Sequence, residues 1–402
     1  MGDVVSLLGR ILNAIILAFV VSTFVVTQPL QAAPFAAIVM DGRTGEVLYE
    51  KNADARLHPA SLTKMMTLYI VFQEIEAGRL SLDTKVTVTK YAASQPPSRL
   101  GLKPGQKIAV RYLIRAAAIK SANDAAAALG DHIGGDHATF AKRMTRTARQ
   151  LGMDNTTFKN ANGLTAEGHL STARDMNNLG RHLFYDFPQY YHIFSRRTAD
   201  AGIAQVANTN TRFLDSYEGA DGIKTGYTRP AGLTYVGSVN RKGFRVIDSI
   251  MNTENWQADH KALVDWAYKT YEETERYPAQ TVLGTAQVAG GERNTVPYAA
   301  EQFFHVLARP GQGRSTIDFI AKGELAAPVS IGQAIGEVRV TDAEGFTQTI
   351  PVFATEAVEK APMMAGVSPG FDGRTVIFGG ALFGGFLLVR RRTRKTYARL
   401  RY

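Results

Sequence analysis

The sequence predicts an α+β protein with two parts of different character. Two pairs of apolar runs, 35–41 with 45–51 and 233–239 with 244–251, each flank a short polar turn that is typical of a β-hairpin. The long stretch between these hairpins is dominated by helical periodicity. After Tyr277 the chain consists of short strand-like segments and glycine turns, as expected of a small all-β domain.

The individual elements of the first part follow from periodicity and from capping residues. Helices are expected, in chain order, at 61–77, 110–133, 137–151, 172–184 and 257–275. Gly152 is suited to end the third helix and Ser171 to cap the fourth. A strand is expected at 82–90. These elements give a first domain over 34–277 and a β-rich domain over 278–362.

Composition excludes several classes of protein. The 402 residues are 45% hydrophobic and 20% charged, so the chain can bury a core and is not disordered as a whole. The absence of cysteine excludes disulfides, zinc–thiolate sites, iron–sulfur clusters and a thiol nucleophile. Seven basic residues and no acid lie in 390–402, which leaves only +3 of the net charge of +10 for the rest. A nucleic-acid partner is therefore not expected.

The first residues have the features of a secretory signal. Arg10 precedes the apolar run 11–26, and Ala32 and Ala33 supply a small-residue cleavage site. An uncleaved anchor helix is the alternative, but Pro29 and the alanines favour cleavage. We expect residues 1–33 to be a signal peptide and the body of the protein to be exported.

The other end of the chain is predicted to be a linker and a membrane-anchoring tail over 366–402. Its apolar run 375–389 would form a helix of about 22 Å, short of the ~30 Å hydrocarbon core, but the arginines that follow can snorkel. A helix lying in the membrane interface against anionic lipid, or a processed sorting tail, are alternatives. The protein is then expected at the periplasmic face of the cytoplasmic membrane.

The first of three short motifs is Ser61-Leu62-Thr63-Lys64. At the start of a helix, Lys64 would lie one turn after Ser61 on the same face. A buried amine there can take the hydroxyl proton of Ser61 when a neighbouring cation suppresses its own charge. The alternative is a helix-capping serine followed by a solvated lysine.

The other two motifs are weaker by themselves. In Ser121-Ala122-Asn123 the hydroxyl could relay a proton and the amide could hold a peptide group, yet Ser238-Val239-Asn240 has the same spacing at a predicted turn. In 221–228, Lys224 and Thr225 could hold an anionic group, and Gly226 would let a ligand backbone approach closely. A surface turn that carries a lysine is the alternative for this third motif.

With these three motifs in this order, the chain resembles the serine penicillin-recognising enzymes, whose signature motifs follow one another in the same order. The longer context is similar to their low-molecular-mass branch, the D-alanyl-D-alanine carboxypeptidases, over roughly residues 35–360. The matching segments are 58–67, 120–125, 151–158, 168–176 and 221–228. This resemblance implies a β-lactamase/transpeptidase-like antiparallel sheet flanked by helices, with a small β-sandwich on the membrane side.

The resemblance also implies a reaction and its nucleophile. Ser61 would attack the carbonyl between two D-alanines of a peptidoglycan stem peptide, and Lys64 would act as general base. Ser121 would pass the proton to the departing D-alanine, and Asn123 would fix the amide beside the scissile bond. β-Lactams would acylate Ser61 for the same reason.

The third motif would bind the substrate and stabilise developing charge. Lys224 would keep the site electropositive and, with Thr225, bind the terminal carboxylate. The backbone N–H groups of Ser61 and Tyr227 would form the oxyanion hole. No metal or organic cofactor is implied, and the polar residues Asp131, His132, Asp136 and His137 are interpreted as helix-end residues without a third ligand.

The sequence leaves two questions open, the group that binds the terminal carboxylate and the exact activity. Glu254 stands where many relatives carry an arginine that aids carboxylate binding, so either Arg212 or Arg245 substitutes for it or the preference for a terminal carboxylate is weaker. Within the class, the alternatives are a D,D-endopeptidase that cuts cross-links and a β-lactamase with Glu167 as its one candidate deacylating residue. A catalytically idle, membrane-tethered wall-binding protein is the alternative outside it.

Overall fold

A computed structural model describes residues 33–301, 304–308, 316–341 and 347–362. The predicted signal peptide, apart from Ala33, and the predicted tail over 366–402 lie outside the described residues. In the part of the chain that the structure describes, no helix is both long and apolar enough to cross a membrane.

The described strands and helices follow one another in this order. The strands are β1 (Ala36–Asp41), β2 (Val47–Lys51), β3 (Lys85–Thr87), β4 (Lys107–Ala109), β5 (Thr198–Asp200), β6 (Gln205–Ala207), β7 (Ala220–Thr228), β8 (Gly232–Arg241), β9 (Phe244–Thr253), β10 (Glu272–Tyr277), β11 (Val282–Gln287), β12 (Thr295–Ala300), β13 (Phe304–Ala308), β14 (Thr316–Ala321), β15 (Ala334–Thr341) and β16 (Thr347–Ala354). The helices are α1 (Thr63–Glu76), α2 (Lys90–Ala93), α3 (Val110–Ala118), α4 (Asn123–Gly134), α5 (His137–Gln150), α6 (Ala173–Asp186), α7 (Pro188–Tyr191), α8 (Thr211–Ser216) and α9 (Trp256–Thr270).

The first part is built on one antiparallel sheet with the strand order β2-β1-β9-β8-β7. Both predicted hairpins are confirmed, as β1–β2 and β8–β9. Strand β9 is buried along almost its whole length because α6 and α9 both pack against it. The sheet is therefore covered by helices, and β7 forms its edge.

The predicted helix over 110–133 is wrong as a single element. It is two helices, α3 and α4, because Ser121 adopts a φ of +60°, which a right-handed helix cannot contain. At this break the N–H of Ala122 donates to Ala116 O (3.0 Å), and the N–H of Asn123 donates to Ser98 O (2.6 Å). The break thus places the Ser121–Asn123 motif at the junction of the two helices, with Asn123 as the first residue of α4.

Other helix and strand limits also differ from the prediction. Thr172, not Ser171, caps α6, since its hydroxyl accepts the N–H of Asp175 at 3.0 Å. The last helix ends at Thr270, and the residues that follow form β10, which pairs with β13. The strand expected at 82–90 is limited to β3.

The second part is all-β, as predicted. Its five-stranded antiparallel sheet has the order β11-β12-β16-β15-β14 and packs with the β10–β13 pair. Residues of β13 alternate between two cores: Phe304 and Val306 face the β-rich core, whereas Leu307 belongs to the core of the first part. His305 Nε2 lies 3.2 Å from Asp41 Oδ2, and both side chains are fully buried. Strand β13 thus joins the two parts.

Candidate active site

Ser61 lies in a tight turn immediately before the central helix. Residues Ala60–Leu62 form a single 3₁₀ turn, and α1 begins at Thr63 rather than at Ser61. Ala60 has a φ of +47°, a backbone conformation that costs free energy in a non-glycine residue. Gly163 packs so closely on this turn that a Cβ there would overlap the Ala60 carbonyl. The turn leaves Ser61 partly exposed at the end of a buried helix.

Lys64 lies one helical turn after Ser61, as the spacing predicts, and is fully buried. Its Nζ is 2.9 Å from Ser61 Oγ, 2.8 Å from Asn123 Oδ1 and 2.6 Å from the carbonyl of Asn162. Asn123 Oδ1 and the carbonyl oxygen of Asn162 can only accept hydrogen bonds. A neutral amine has two N–H groups and one lone pair, so these two acceptors direct the lone pair at the Ser61 hydroxyl.

The electrostatic environment favours that neutral amine. Burial holds the pKa of Lys64 well below its ordinary value, the positive charge of Lys224 lowers the pKa further, and Asp124 opposes both effects. Lys224 is itself buried, which lowers its pKa to about 7. Its Nζ donates to the carbonyl of Thr225 at 2.9 Å. Two amines therefore lie in one water-poor region without a full pair of charges.

The Ser121–Asn123 motif reaches this site from the break between α3 and α4. Ser121 is 8% exposed, and Asn123 is the first residue of α4. Asn123 donates from Nδ2 to Pro96 O at 2.9 Å while its Oδ1 faces Lys64. Its side chain is thus held by protein groups on both sides.

The third motif is part of β7 itself and not the surface turn that was its alternative. Thr225 Oγ1 lies 2.9 Å from Thr209 Oγ1, and the side chain of Tyr227 is 64% exposed. A Cβ on Gly226 would overlap Thr234 Oγ1 and would lie 3.0 Å from the Ser61 backbone nitrogen. Glycine at 226 therefore lets the edge strand approach the nucleophile's turn. Among the described strands β7 pairs only with β8, so its other edge faces the site.

Some residues of this arrangement escaped the sequence analysis. The carbonyl of Asn162 contacts Lys64, and a backbone contact has no side-chain signature in a sequence. Asn162 is held in place by Gln95, whose Oε1 accepts from Asn162 Nδ2 at 2.7 Å. Thr209 reaches Thr225 from a loop that no motif marks.

His169, inside the matching segment 168–176, connects the start of α1 to the loop that carries Asn162. It is almost fully buried, which lowers its pKa to about 3, and the charges of His58 and Lys159 add to this. The neutral ring accepts the Lys159 N–H at Nδ1 (3.2 Å), so Nε2 carries the proton and donates to Thr63 Oγ1 at 2.9 Å. His169 thus ties the loop that carries Asn162 to the first residue of α1.

The structure separates the two arginines proposed for the terminal carboxylate. Arg245 is buried, pairs with Asp221 at 2.8 Å and lies 3.7 Å from the ring centroid of Phe184, so it is committed to the protein interior. Arg212 is exposed on α8, three residues after Thr209. Of the two, only Arg212 is free to meet a ligand. Glu254 is exposed beyond the end of β9.

The polar residues considered for a metal occupy helix ends. Asp131 accepts from the Thr89 hydroxyl, and Asp136 caps α5 by accepting the Thr139 N–H at 2.8 Å. His137 stacks on Tyr91 with ring centroids 4.0 Å apart. Within the described ranges, no group of three or more metal-ligating side chains is present.

Two family profiles match consecutive parts of the chain. The profile described as D-alanyl-D-alanine carboxypeptidase matches residues 22–255, and that of the penicillin-binding protein 5 C-terminal domain matches residues 271–360. The chain is 32% identical to the D-alanyl-D-alanine carboxypeptidase DacF of Bacillus subtilis, over 83% of this chain and 88% of that protein. It is also 32% identical to DacC of Escherichia coli, over 87% of this chain and 90% of that protein.

Solved structures show the same similarity. Penicillin-binding protein 5 from Haemophilus influenzae is 28% identical and superimposes with a TM-score of 0.74, over 83% of this chain and 100% of that one. Penicillin-binding protein D2 from Listeria monocytogenes, in its cefotaxime-bound form, is 35% identical with a TM-score of 0.52, over 57% of this chain and 95% of that one. The resemblance read from the three motifs is confirmed.

Proposed function

The chain belongs to the D-alanyl-D-alanine carboxypeptidase family, and from this membership we propose that it removes the terminal D-alanine of peptidoglycan stem pentapeptides through an acyl-enzyme on Ser61. The observation that carries the proposal is the 2.9 Å contact between the buried Lys64 amine and Ser61 Oγ. A capping serine and a solvated lysine would not give this contact, because Lys64 would then be exposed.

Acylation begins with a proton transfer from Ser61 to Lys64. The lone pair of the neutral amine takes the hydroxyl proton as Oγ attacks the carbonyl between the two D-alanines. The backbone N–H groups of Ser61 and Tyr227 stabilise the negative charge that develops on the carbonyl oxygen, an effect worth roughly 10²–10³ in rate per donor. Gly226 lets both N–H groups approach the same oxygen, because a side chain there would separate β7 from the Ser61 turn.

The leaving D-alanine then receives the proton. Ser121 passes it from Lys64 to the departing amine, which completes the acyl-enzyme and returns Lys64 to its neutral form. Lys224 and Thr225 bind the terminal carboxylate of the substrate, and Arg212 is the exposed cation that can assist them. Asn123 holds Lys64 and offers its second Nδ2 hydrogen to the amide beside the scissile bond.

Water completes the cycle by hydrolysing the ester on Ser61, which releases the shortened peptide and restores the hydroxyl. A β-lactam would acylate Ser61 by the same attack, since its strained amide carbonyl replaces the substrate carbonyl. The cefotaxime-bound form of the Listeria monocytogenes relative supports this part of the proposal. Removal of terminal D-alanines would limit cross-linking and so contribute to cell wall remodelling and cell shape.

We also propose where this reaction takes place. Residues 1–33 direct export and are removed, and the tail over 366–402 holds the protein at the periplasmic face of the cytoplasmic membrane. The last described strand, β16, ends at Ala354, so the β-rich part precedes the tail along the chain, which fits a spacer between membrane and active site. Fractionation of cells that express the chain with and without 375–402 tests this, and unchanged membrane association would contradict it.

The activity is tested by two assays on the purified full chain. A fluorescent penicillin should label the protein, and a pentapeptide ending in D-Ala-D-Ala should yield free D-alanine, with both signals lost in Ser61→Ala. Labelling without D-alanine release would contradict the carboxypeptidase and indicate an endopeptidase or an idle wall-binding protein. Rapid turnover of the drug would indicate a β-lactamase.

A further inference from the structure

A carboxylate that has no place in the reaction above lies buried beside the active site. Asp124 is fully buried, yet it accepts four backbone hydrogen bonds. Oδ1 accepts the N–H groups of Leu100 and Ala125, both at 2.8 Å, and Oδ2 accepts those of Gly101 (2.8 Å) and Leu102 (3.0 Å). A buried charge is tolerated when it is satisfied in this way.

Three of these bonds hold a segment that has no regular secondary structure. Residues 96–102, which we call the wall loop, belong to no helix or strand, and their side chains are mostly exposed. The wall loop is also fastened to the Ser121–Asn123 motif. Pro96 O and Ser98 O accept from the side chain and the backbone of Asn123, and Ser98 Oγ donates to Lys120 O at 3.0 Å.

We propose that Asp124 is a positioning residue that clamps the wall loop onto the Ser121–Asn123 turn and thereby holds Asn123 against the Lys64 amine. The proposal deepens the proposed function and rests on it. The wall loop fixes the backbone and the Nδ2 group of Asn123, and Asn123 Oδ1 in turn orients Lys64 at 2.8 Å. A loose wall loop would let Lys64 turn its lone pair away from Ser61.

Asp124 has a second, electrostatic effect on the same amine. Two charged groups act on Lys64: Lys224, which lowers its pKa, and Asp124, which raises it against the larger effect of burial. Loss of the Asp124 charge should therefore lower the pKa of Lys64 further. The clamp and the charge are separable, because the first sets the rate at the pH optimum and the second sets the pH at which acylation rises.

Asp124→Asn is the sharpest test because it is nearly isosteric. In the orientation that keeps the Leu100 and Ala125 bonds, the new NH₂ group points at the N–H groups of Gly101 and Leu102. We expect faster hydrogen exchange at 100–102 and a 10- to 100-fold lower acylation rate with a fluorescent penicillin. We also expect a similar fall in kcat for D-alanine release and a shift of the acidic limb to lower pH.

The matched control is Asp131→Asn, a buried aspartate two turns later on the same helix that bonds Thr89. Its acylation rate should stay within twofold of the parent's rate, and its acidic limb should lie at the same pH as the parent's. Parent-like rate and pH profile in Asp124→Asn, despite faster exchange at 100–102, would overturn the proposal.

If Asp124→Asn does not fold, Ser98→Ala provides a second test. It removes the surface bond to Lys120 O and should slow acylation several-fold, and an unchanged rate would equally overturn the proposal.

The proposed function can fail separately from this clamp. If the unmodified full chain neither binds the penicillin nor releases D-alanine, the proposed function is wrong. Hydrogen exchange at 100–102 then still decides whether Asp124 holds the wall loop.

Discussion

Lys64 Nζ lies 2.9 Å from Ser61 Oγ, and its two other contacts, Asn123 Oδ1 and the Asn162 carbonyl, are both hydrogen-bond acceptors. These three contacts account for the two N–H groups and the lone pair of a neutral amine. Burial and the charge of Lys224 favour that protonation state. The relationship gives each side chain one role and leads to the following predictions.

Lys64→Arg should abolish acylation although it keeps a basic side chain. A guanidinium stays protonated at all accessible pH values, so it cannot take the Ser61 proton. Since general-base catalysis contributes about 10²–10⁴ in rate, we expect a loss of this order in the second-order rate constant with a penicillin. The exposed Lys90, changed to arginine in the same way, is the control and should leave the rate unchanged. Near-parental acylation by Lys64→Arg would exclude Lys64 as the base.

The acylation rate should fall as the pH rises through about 7. Lys224 then loses the charge that binds the substrate carboxylate and keeps Lys64 neutral. Lys224→Arg should move this alkaline limb to higher pH, because the guanidinium does not lose its proton there. The pH profile of kcat/KM with a D-Ala-D-Ala peptide measures the limb, and an identical limb in the arginine variant would assign it to another group.

The same lysine should make stability depend on pH. Its pKa of about 7 in the folded protein lies below the ~10.4 of the unfolded chain. Between these two values the unfolded chain binds more protons, so stability should rise with pH, and the full penalty remains below pH 7. Lys224→Met should reduce this rise to the part that the buried Lys64 contributes, and should stabilise the protein at pH 7 by at least about 1 kcal/mol while it abolishes acylation. Thermal melts at pH 6 to 10 measure both effects, and a steeper rise in the variant would contradict the assignment.

Gly226→Ala should disable the site through a steric effect. The added methyl would overlap Thr234 Oγ1 and press on the Ser61 nitrogen, pushing β7 away from the Ser61 turn. We expect at least a 100-fold loss of acylation, together with some loss of stability. Adding Thr234→Ala should recover stability but not acylation, because the contact at Ser61 remains. Recovery of both in the double variant would place the damage at Thr234 alone.

The sequence predicted the elements whose signals are local. The β1–β2 and β8–β9 hairpins follow from alternation and turn residues, and the spacing of Ser61 and Lys64 placed both side chains on one face. The β-rich texture after Tyr277 likewise predicted the second part. In each case the pattern that forms the element lies within a few consecutive residues.

Features that depend on distant partners could not be predicted in the same way. The break at Ser121 depends on bonds to the wall loop, which composition alone does not show. Asn162 contacts Lys64 through its backbone carbonyl, which leaves no side-chain signal in the sequence. Arg245 is held in the interior by Asp221 and Phe184, both of which are far from it in the sequence. Such contacts arise only when the sheet and the helices pack together.

The most direct test of the account is the site of covalent modification. The purified full chain is exposed to benzylpenicillin, its intact mass is measured, and the adduct is then located by peptide mapping. The account predicts one adduct, on the peptide that contains Ser61, and none in Ser61→Ala. An adduct on Ser121 or another residue, or a Ser61→Ala variant that is still modified, would contradict it.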